Sequence, residues 1–166
     1  ILMSSRDGRV VAALHGGWQG LVAGIVGAAV ARFNARGVAS ADIRVAIGPG
    51  IKACCYEVSA GFIEALQVGH GRLWEGAVPP WSQRRPLPER PPRFAPPEPR
   101  QAEQGAWLDL VAFCRQLFQA AGVGPAQIEA SAVCTYCSGD AFASHRRRQR
   151  LGEEKRQQYA WIARKP

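Results

Sequence analysis

The feature that most constrains the fold of this 166-residue chain is an apolar run that ends at a corner of histidine and glycine. Residues 10–14 (VVAAL) are short and apolar, which predicts a buried strand. The letters HGGW, from His15 to Trp18, follow at once, and apolar side chains then recur at helical spacing over residues 21–35. This order indicates an α/β fold, in which ligands commonly collect beyond the carboxyl ends of strands.

The rest of the chain continues the alternation of strands and helices. Further strands are predicted at residues 43–47, 128–134 and 159–163. A short helix capped by Ser59 is predicted to run to about residue 67, and a longer one lies within 107–121. Residues 52–58, after a Gly-Pro-Gly break, are expected to form a loop. The pattern predicts a single layered α/β domain.

A segment rich in proline and arginine interrupts this pattern at about residues 79–100. It holds most of the chain's 12 prolines. Because proline removes a backbone donor and fixes φ, neither a helix nor a central strand fits there. We expect an exposed loop or a disordered insert, tolerated at the surface, and a binding arm for an acidic partner is the alternative.

The formal net charge of +8 favours anionic partners, namely phosphate, nucleotides or nucleic acid, although solubility alone also explains it. No apolar run of about 18 residues predicts a membrane span, and we expect a cytoplasmic protein. Ile1 stands where a natural chain begins with Met, so the natural N-terminal part is expected to be missing.

The five cysteines do not form an obvious site in the sequence. Cys54 and Cys55 are adjacent and poorly placed to bridge each other. Cys134 and Cys137 form a lone CxxC, which is a weak signal for zinc and for redox chemistry. Reduced, partly buried thiols are expected instead.

The histidine corner and the stretch after the second strand are the first candidates for chemistry. His15 is either a core histidine or a residue that binds zinc or copper or relays a proton, with Trp18 as a pocket wall. Glu57 is a candidate general acid or base, and Tyr56 is a candidate stacking surface for a planar substrate. An ordinary join between strand and helix explains Tyr56 and Glu57 equally well.

The arginines after the CxxC are the third candidate. Arg146 and Arg147 present planar donors that match phosphate oxygens, and a solvated basic face is the alternative.

Together these stretches resemble a known family, the YfiH-like proteins. Members were once labelled multicopper polyphenol oxidases or laccase-domain proteins and are now understood as purine nucleoside phosphorylases with added adenosine deaminase activity. The matching positions are His15-Gly16-Gly17-Trp18, Gly48, Pro49, Cys54-Cys55-Tyr56-Glu57-Val58, Leu108-Asp109-Leu110, Cys134, Thr135, Phe142, Ser144, Arg146 and Arg147.

The resemblance implies a layered sandwich of mixed β-sheets flanked by helices, with one metal site. His15 matches one metal ligand. The other two, a histidine and the cysteine of a Thr-Ala-Asp-Cys segment, are expected upstream of Ile1. Zinc is the expected metal and copper the alternative. Weak or no metal binding is therefore expected for this chain alone.

The implied function is a metal-dependent purine nucleoside phosphorylase that acts on adenosine, inosine, guanosine or methylthioadenosine, with adenosine deaminase activity besides. Arg146 or Arg147 would hold phosphate, and Glu57 would protonate the leaving base or contact ribose. Trp18, Tyr56 and Arg147 are the expected substrate-binding residues. A monomer or homodimer is expected. The alternatives are a basic nucleic-acid-binding module and a copper-dependent polyphenol oxidoreductase.

Overall fold

A computed structural model describes residues 1–99 and 105–164. The strands are β1 Leu2–Ser5, β2 Val11–Ala13, β3 Ile43–Ile47, β4 Glu57–Ser59, β5 Trp81–Ser82, β6 Gly105–Leu108 and β7 Ile128–Ala130. The helices are α1 Trp18–Val22, α2 Ile25–Asn34, α3 Ala60–His70, α4 Leu110–Ala120 and α5 His145–Leu151. Short 3-10 turns lie at Ser40–Asp42, Gly71–Trp74, Pro125–Gln127 and Gly139–Ala141.

The described strands form two sheets. The larger has the order β2-β1-β3-β7 and is mixed, because β1 runs antiparallel to β2 and β3 whereas β3 runs parallel to β7. The smaller has the order β4-β6-β5 and is antiparallel. Helices pack against these strands, so the predicted fold class, mixed sheets flanked by helices, is confirmed.

The core lies where the helices cover the larger sheet. Side chains of β3 alternate, so that Ile43, Val45 and Ile47 are buried and the two between them are exposed. Phe33 of α2 and Phe118 of α4 belong to the same buried cluster. The strand predicted at 43–47 is therefore confirmed, and its alternation fixes which face meets the helices.

The helix predicted at 21–35 is two helices. α1 ends at Val22, and Gly24 adopts a φ of +85°, a conformation that suits glycine and interrupts the helical path before α2. The strand predicted at 10–14 is present as Val11–Ala13, but its predicted burial is wrong, because it lies at the edge of the described sheet with its residues half-buried or exposed. The helix capped by Ser59 extends to His70.

Other expectations were wrong at particular elements. Trp107 lies in β6 rather than in a helix, because Asp109 is the N-cap of α4 and the helix begins only at Leu110. The loop expected at 52–58 ends in β4, and the strand expected at 128–134 stops at Ala130. The strand expected at 159–163 is absent from the described structure. The helix α5 was not predicted.

The described part of the proline-rich segment, through Pro99, is mostly exposed but is bonded to the rest of the protein at several points. Trp81 and Ser82 form β5 and pair with β6. The main-chain N–H groups of Arg93 and Phe94 donate hydrogen bonds to the carbonyl of Cys137, at 2.8 and 3.2 Å. Residues 100–104, part of the predicted insert, lie outside the described residues. Among the helices that are described, none combines the length and the hydropathy that crossing a membrane requires.

Asp109 accepts hydrogen bonds from the N–H groups of Val111 and Ala112, at 3.0 and 2.9 Å. Replacing Asp109 by alanine leaves both donors without that acceptor and should lower the free energy of unfolding by about 1 kcal/mol. Asp42→Ala is the control, because Asp42 is exposed and contributes its main-chain carbonyl to the bond from Arg6. Urea denaturation followed by circular dichroism measures both, and equal losses would contradict the assignment.

Candidate functional site

The histidine corner depends on its glycines for steric reasons. His15 is exposed and follows β2. Its ring lies over Gly17, where an added Cβ would be only 2.8 Å from the His15 Nε2. A Cβ on Gly16 would be 2.9 Å from the Ile1 Cδ1. Larger residues at these positions would displace the imidazole or the first residue, so the HGGW corner sets where the ring stands.

Trp18 connects this corner to the smaller sheet. It begins α1, is 40% exposed and packs edge-on against Phe62, with ring centroids 5.1 Å apart. Phe62 lies in the first turn of α3, which continues directly from β4 and therefore from Glu57. The corner and the glutamate stretch are thus neighbours through the start of α3.

Three of the predicted site residues meet at α5. Tyr56 and Glu57 are buried, and the guanidinium of Arg146 lies over the Tyr56 ring at 5.4 Å. Arg150, four residues along α5, places Nη2 3.8 Å from the Glu57 Oε2. Burial raises the pKa of Tyr56, and Arg146 opposes that shift. The structure therefore brings Tyr56, Glu57 and Arg146 together and adds Arg150, which was not predicted.

Arg147 faces the interior, unlike its neighbour Arg146. It is 1% exposed. Its guanidinium donates to three main-chain carbonyls, those of Thr135, Tyr136 and Phe142, and to the carboxylate of Glu153 at 2.6 Å. These bonds hold the CxxC loop against α5. The contacts of Arg147 are therefore structural, whereas the sequence predicted that Arg147 binds substrate.

Four buried cysteines form a cluster that was not predicted. The Sγ atoms of Cys54, Cys55, Cys134 and Cys137 all lie within 4.8 Å of one another. Cys55 and Cys137 are 3.3 Å apart, and Cys54 and Cys55 are 3.6 Å apart. Hydrogen bonds from Cys54 and Cys55 lower the pKa of the Cys134 thiol, whereas the pKa values of Cys54 and Cys55 are raised, chiefly through their bonds to Cys134.

The parallel pairing of β3 with β7 explains the cluster. Cys54 and Cys55 follow β3, and the CxxC follows β7, so both pairs leave the sheet at the same edge. A bridge between Gly50 and Cys134 extends this alignment into the two loops. The signal in the sequence was a cysteine pair after each of two predicted strands, but the adjacency of those strands was not predicted.

No group of three or more metal-ligating side chains among the described residues includes His15, since the cysteine cluster is the one group of that kind found. A metal at His15 therefore needs ligands from beyond the described residues.

Three features characterise this chain: an α/β fold with two sheets, the histidine–glycine corner, and the arginine-bearing helix α5. The model of the family described as multi-copper polyphenol oxidoreductase laccase matches residues 1–162, and the chain belongs to that family. The resemblance drawn from the sequence motifs is thereby confirmed.

Relatives with assigned activities are similar over most of the chain. A purine nucleoside phosphorylase, YlmD, from Geobacillus stearothermophilus is 36% identical over 142 residues, which are 83% of this chain and 43% of the relative. An adenosine deaminase, RL5, from an unknown prokaryotic organism is 33% identical over 147 residues, 89% of this chain and 48% of the relative. The chain thus spans about half the length of these curated relatives.

The solved structure of the hypothetical protein YfiH from Bacillus licheniformis is similar in fold. It superposes with a TM-score of 0.65 at 28% sequence identity, over 89% of this chain and 48% of that one. This likeness confirms the layered α/β architecture.

Arg147→Ala should lower the free energy of unfolding by about 3 kcal/mol, because it leaves three carbonyls and a carboxylate without their buried donor. The matched control is Arg146→Ala, which removes a cation–π contact with Tyr56 and should cost about 1 kcal/mol or less. Urea denaturation of both variants measures the difference. Equal destabilisation by the two substitutions would contradict the structural role of Arg147.

Proposed function

We propose that the protein is a metal-dependent purine nucleoside phosphorylase that also deaminates adenosine. The observation that carries the proposal is the approach of α5 to the glutamate stretch, where Arg146 lies over the Tyr56 ring and Arg150 lies beside Glu57. This stretch leads into α3, whose Phe62 packs against Trp18 of the His15 corner. An aromatic ring, a carboxylate and a guanidinium are groups that suit a base, a ribose and a phosphate. The names of the relatives YlmD and RL5 support both reactions.

Phosphate binding is assigned to Arg146. In phosphorolysis a phosphate oxygen bonds to the ribose C1′ while the bond from C1′ to the base nitrogen breaks, and the base leaves with the electron pair and takes up a proton. An arginine fork holds and orients the anion for this attack. Of the two predicted arginines, Arg147 already donates to four acceptors of its own fold, so Arg146 is the better candidate.

Glu57 is proposed to contact the nucleoside. The predicted roles are protonation of the leaving base and a hydrogen bond to ribose. Its carboxylate lies beside the Arg150 guanidinium, and a carboxylate paired with arginine acts as a hydrogen-bond acceptor. We therefore favour the ribose contact. Trp18 and Tyr56 remain the proposed walls for the purine ring.

His15 is proposed as one ligand of a zinc ion, with copper as the alternative metal. Its exposed imidazole, held over Gly17, fits this role as a donor. The two further ligands are proposed to lie in sequence that precedes Ile1. When bound, such a metal supplies an activated water for attack on the purine ring.

The chemistry of the residues argues against the two alternatives. The chain has 3 histidines. His70 packs against the Phe113 ring and His145 contacts Arg148, so the histidines do not converge as a multicopper centre requires. A nucleic-acid-binding module is favoured only by net charge. None of the five cysteines is in a disulfide, which supports the proposal of a reducing compartment, the cytoplasm.

The proposal is tested with the protein expressed from its complete reading frame and incubated with adenosine or inosine. Release of free base should require phosphate and should yield ribose 1-phosphate, and inosine should form from adenosine without phosphate. His15→Ala should abolish deamination. The absence of any phosphate-dependent base release would contradict the proposal.

Arg146→Ala should raise the KM for phosphate roughly tenfold to a hundredfold, because a hydrogen bond to a charged group is lost. Arg148→Ala is the matched control, since Arg148 lies on the same helix and contacts His145. Initial rates at varied phosphate give both values. A KM that stays unchanged in Arg146→Ala, or rises equally in the control, would reject Arg146 as the phosphate ligand.

A further inference from the structure

We infer that Cys54, Cys55, Cys134 and Cys137 form a structural zinc site, separate from the metal proposed at His15. Each of the four side chains offers one sulfur, and tetrathiolate coordination is typical of structural zinc.

The separations of the sulfur atoms fit a single ion. Zinc–sulfur bonds of about 2.3 Å in a tetrahedron place the sulfurs about 3.8 Å apart. The Sγ atoms of Cys54 and Cys55 are 3.6 Å apart, and those of Cys54 and Cys137 are 3.9 Å apart. The Cys55–Cys137 distance is 3.3 Å, and every pair lies within 4.8 Å. Shifts of a few tenths of an ångström to about 1 Å would complete the tetrahedron.

The orientation of the adjacent cysteines supports a shared ligand. The Sγ atoms of Cys54 and Cys55 converge on the same point as the CxxC sulfurs, although the four come from two distant stretches of the chain. All four residues are buried, and they form a small cluster apart from the main apolar core, with Tyr136 and Ile51 packed against it. Without a metal, four reduced thiols at these distances interact only through weak hydrogen bonds.

The surroundings favour the charge of such a site. The thiols lose their protons to solvent when they bind zinc. Four thiolates outweigh the charge of the zinc ion, so the bound site carries a net negative charge. Lys52, which is buried and precedes Cys54 by two residues, donates from Nζ to the Ser131 carbonyl at 2.6 Å. Arg85 of the proline-rich segment donates from Nε to the Cys54 carbonyl at 2.7 Å. Two cations are thus fixed on the main chain of the loops that carry the cysteines.

Zinc would join the two loops that follow β3 and β7, which the strand pairing alone does not hold together. One cysteine pair lies in the loop after β3 and the other in the loop after β7. The proline-rich segment is tied to both, through Arg85 at Cys54 and through Arg93 and Phe94 at Cys137. The proposed site departs from the expectation of weak or no metal binding by this chain alone, because its ligands all lie within residues 54–137.

The test is the metal content of the 166-residue chain, purified under reducing conditions without chelators and with its affinity tag removed. We expect about one zinc per chain, measured by inductively coupled plasma mass spectrometry. A Cys134→Ser/Cys137→Ser double variant should lose that zinc. Cys114→Ala is the matched control, since Cys114 is a buried free cysteine outside the cluster, and His15→Ala removes the ligand of the other proposed metal. Both should keep the zinc.

Cobalt provides a measurement that does not depend on a variant that folds. The wild-type chain reconstituted with cobalt should show the intense sulfur-to-cobalt absorption of a tetrahedral tetrathiolate site. Loss of zinc in His15→Ala, iron in place of zinc, or a reduced thiol count with a disulfide between Cys55 and Cys137 would each overturn the inference. Failure of phosphorolysis with zinc retained would reject the proposed function and leave this site standing.

Discussion

The parallel pairing of β3 with β7 is the constraint on which the rest of the site depends. Val45 lies opposite Ile128 and Ile47 opposite Ala130, so two strands more than eighty positions apart end at one edge of the sheet. Parallel strands require a long connection, and here that connection includes the second sheet, α3 and α4. Both cysteine pairs leave the sheet at this edge, since one follows β3 and the other follows β7.

Arg147 links the loop after β7 to α5. Its guanidinium holds the carbonyls of Thr135 and Tyr136, which lie between the two cysteines of the CxxC. With that side chain fixed inward, Arg146 and Arg150 on the same helix face Tyr56 and Glu57. The buried Arg147 therefore fixes the orientation of α5, and a fold that lost it would lose the alignment of Arg146 and Arg150 with Tyr56 and Glu57.

The sequence allowed the fold class, the β3 strand, the Ser59 cap and the family to be predicted, because these depend on local pattern and on motif order. It did not show which strands pair, since pairing depends on contacts between distant residues. For that reason the sequence gives only a weak metal signal at Cys134 and Cys137, and none at Cys54 and Cys55. The sequence also does not show which of Arg146 and Arg147 points inward, because the helical face on which each lies decides this and α5 is not predicted.

The measurement that tests this account most directly is anomalous diffraction from crystals of the 166-residue chain, recorded on both sides of the zinc absorption edge. The account predicts a peak in the difference map at the centre of the Sγ atoms of Cys54, Cys55, Cys134 and Cys137. That position requires the β3–β7 register and the cluster to be correct together. A map with no peak there, or with the four sulfurs dispersed, would contradict it.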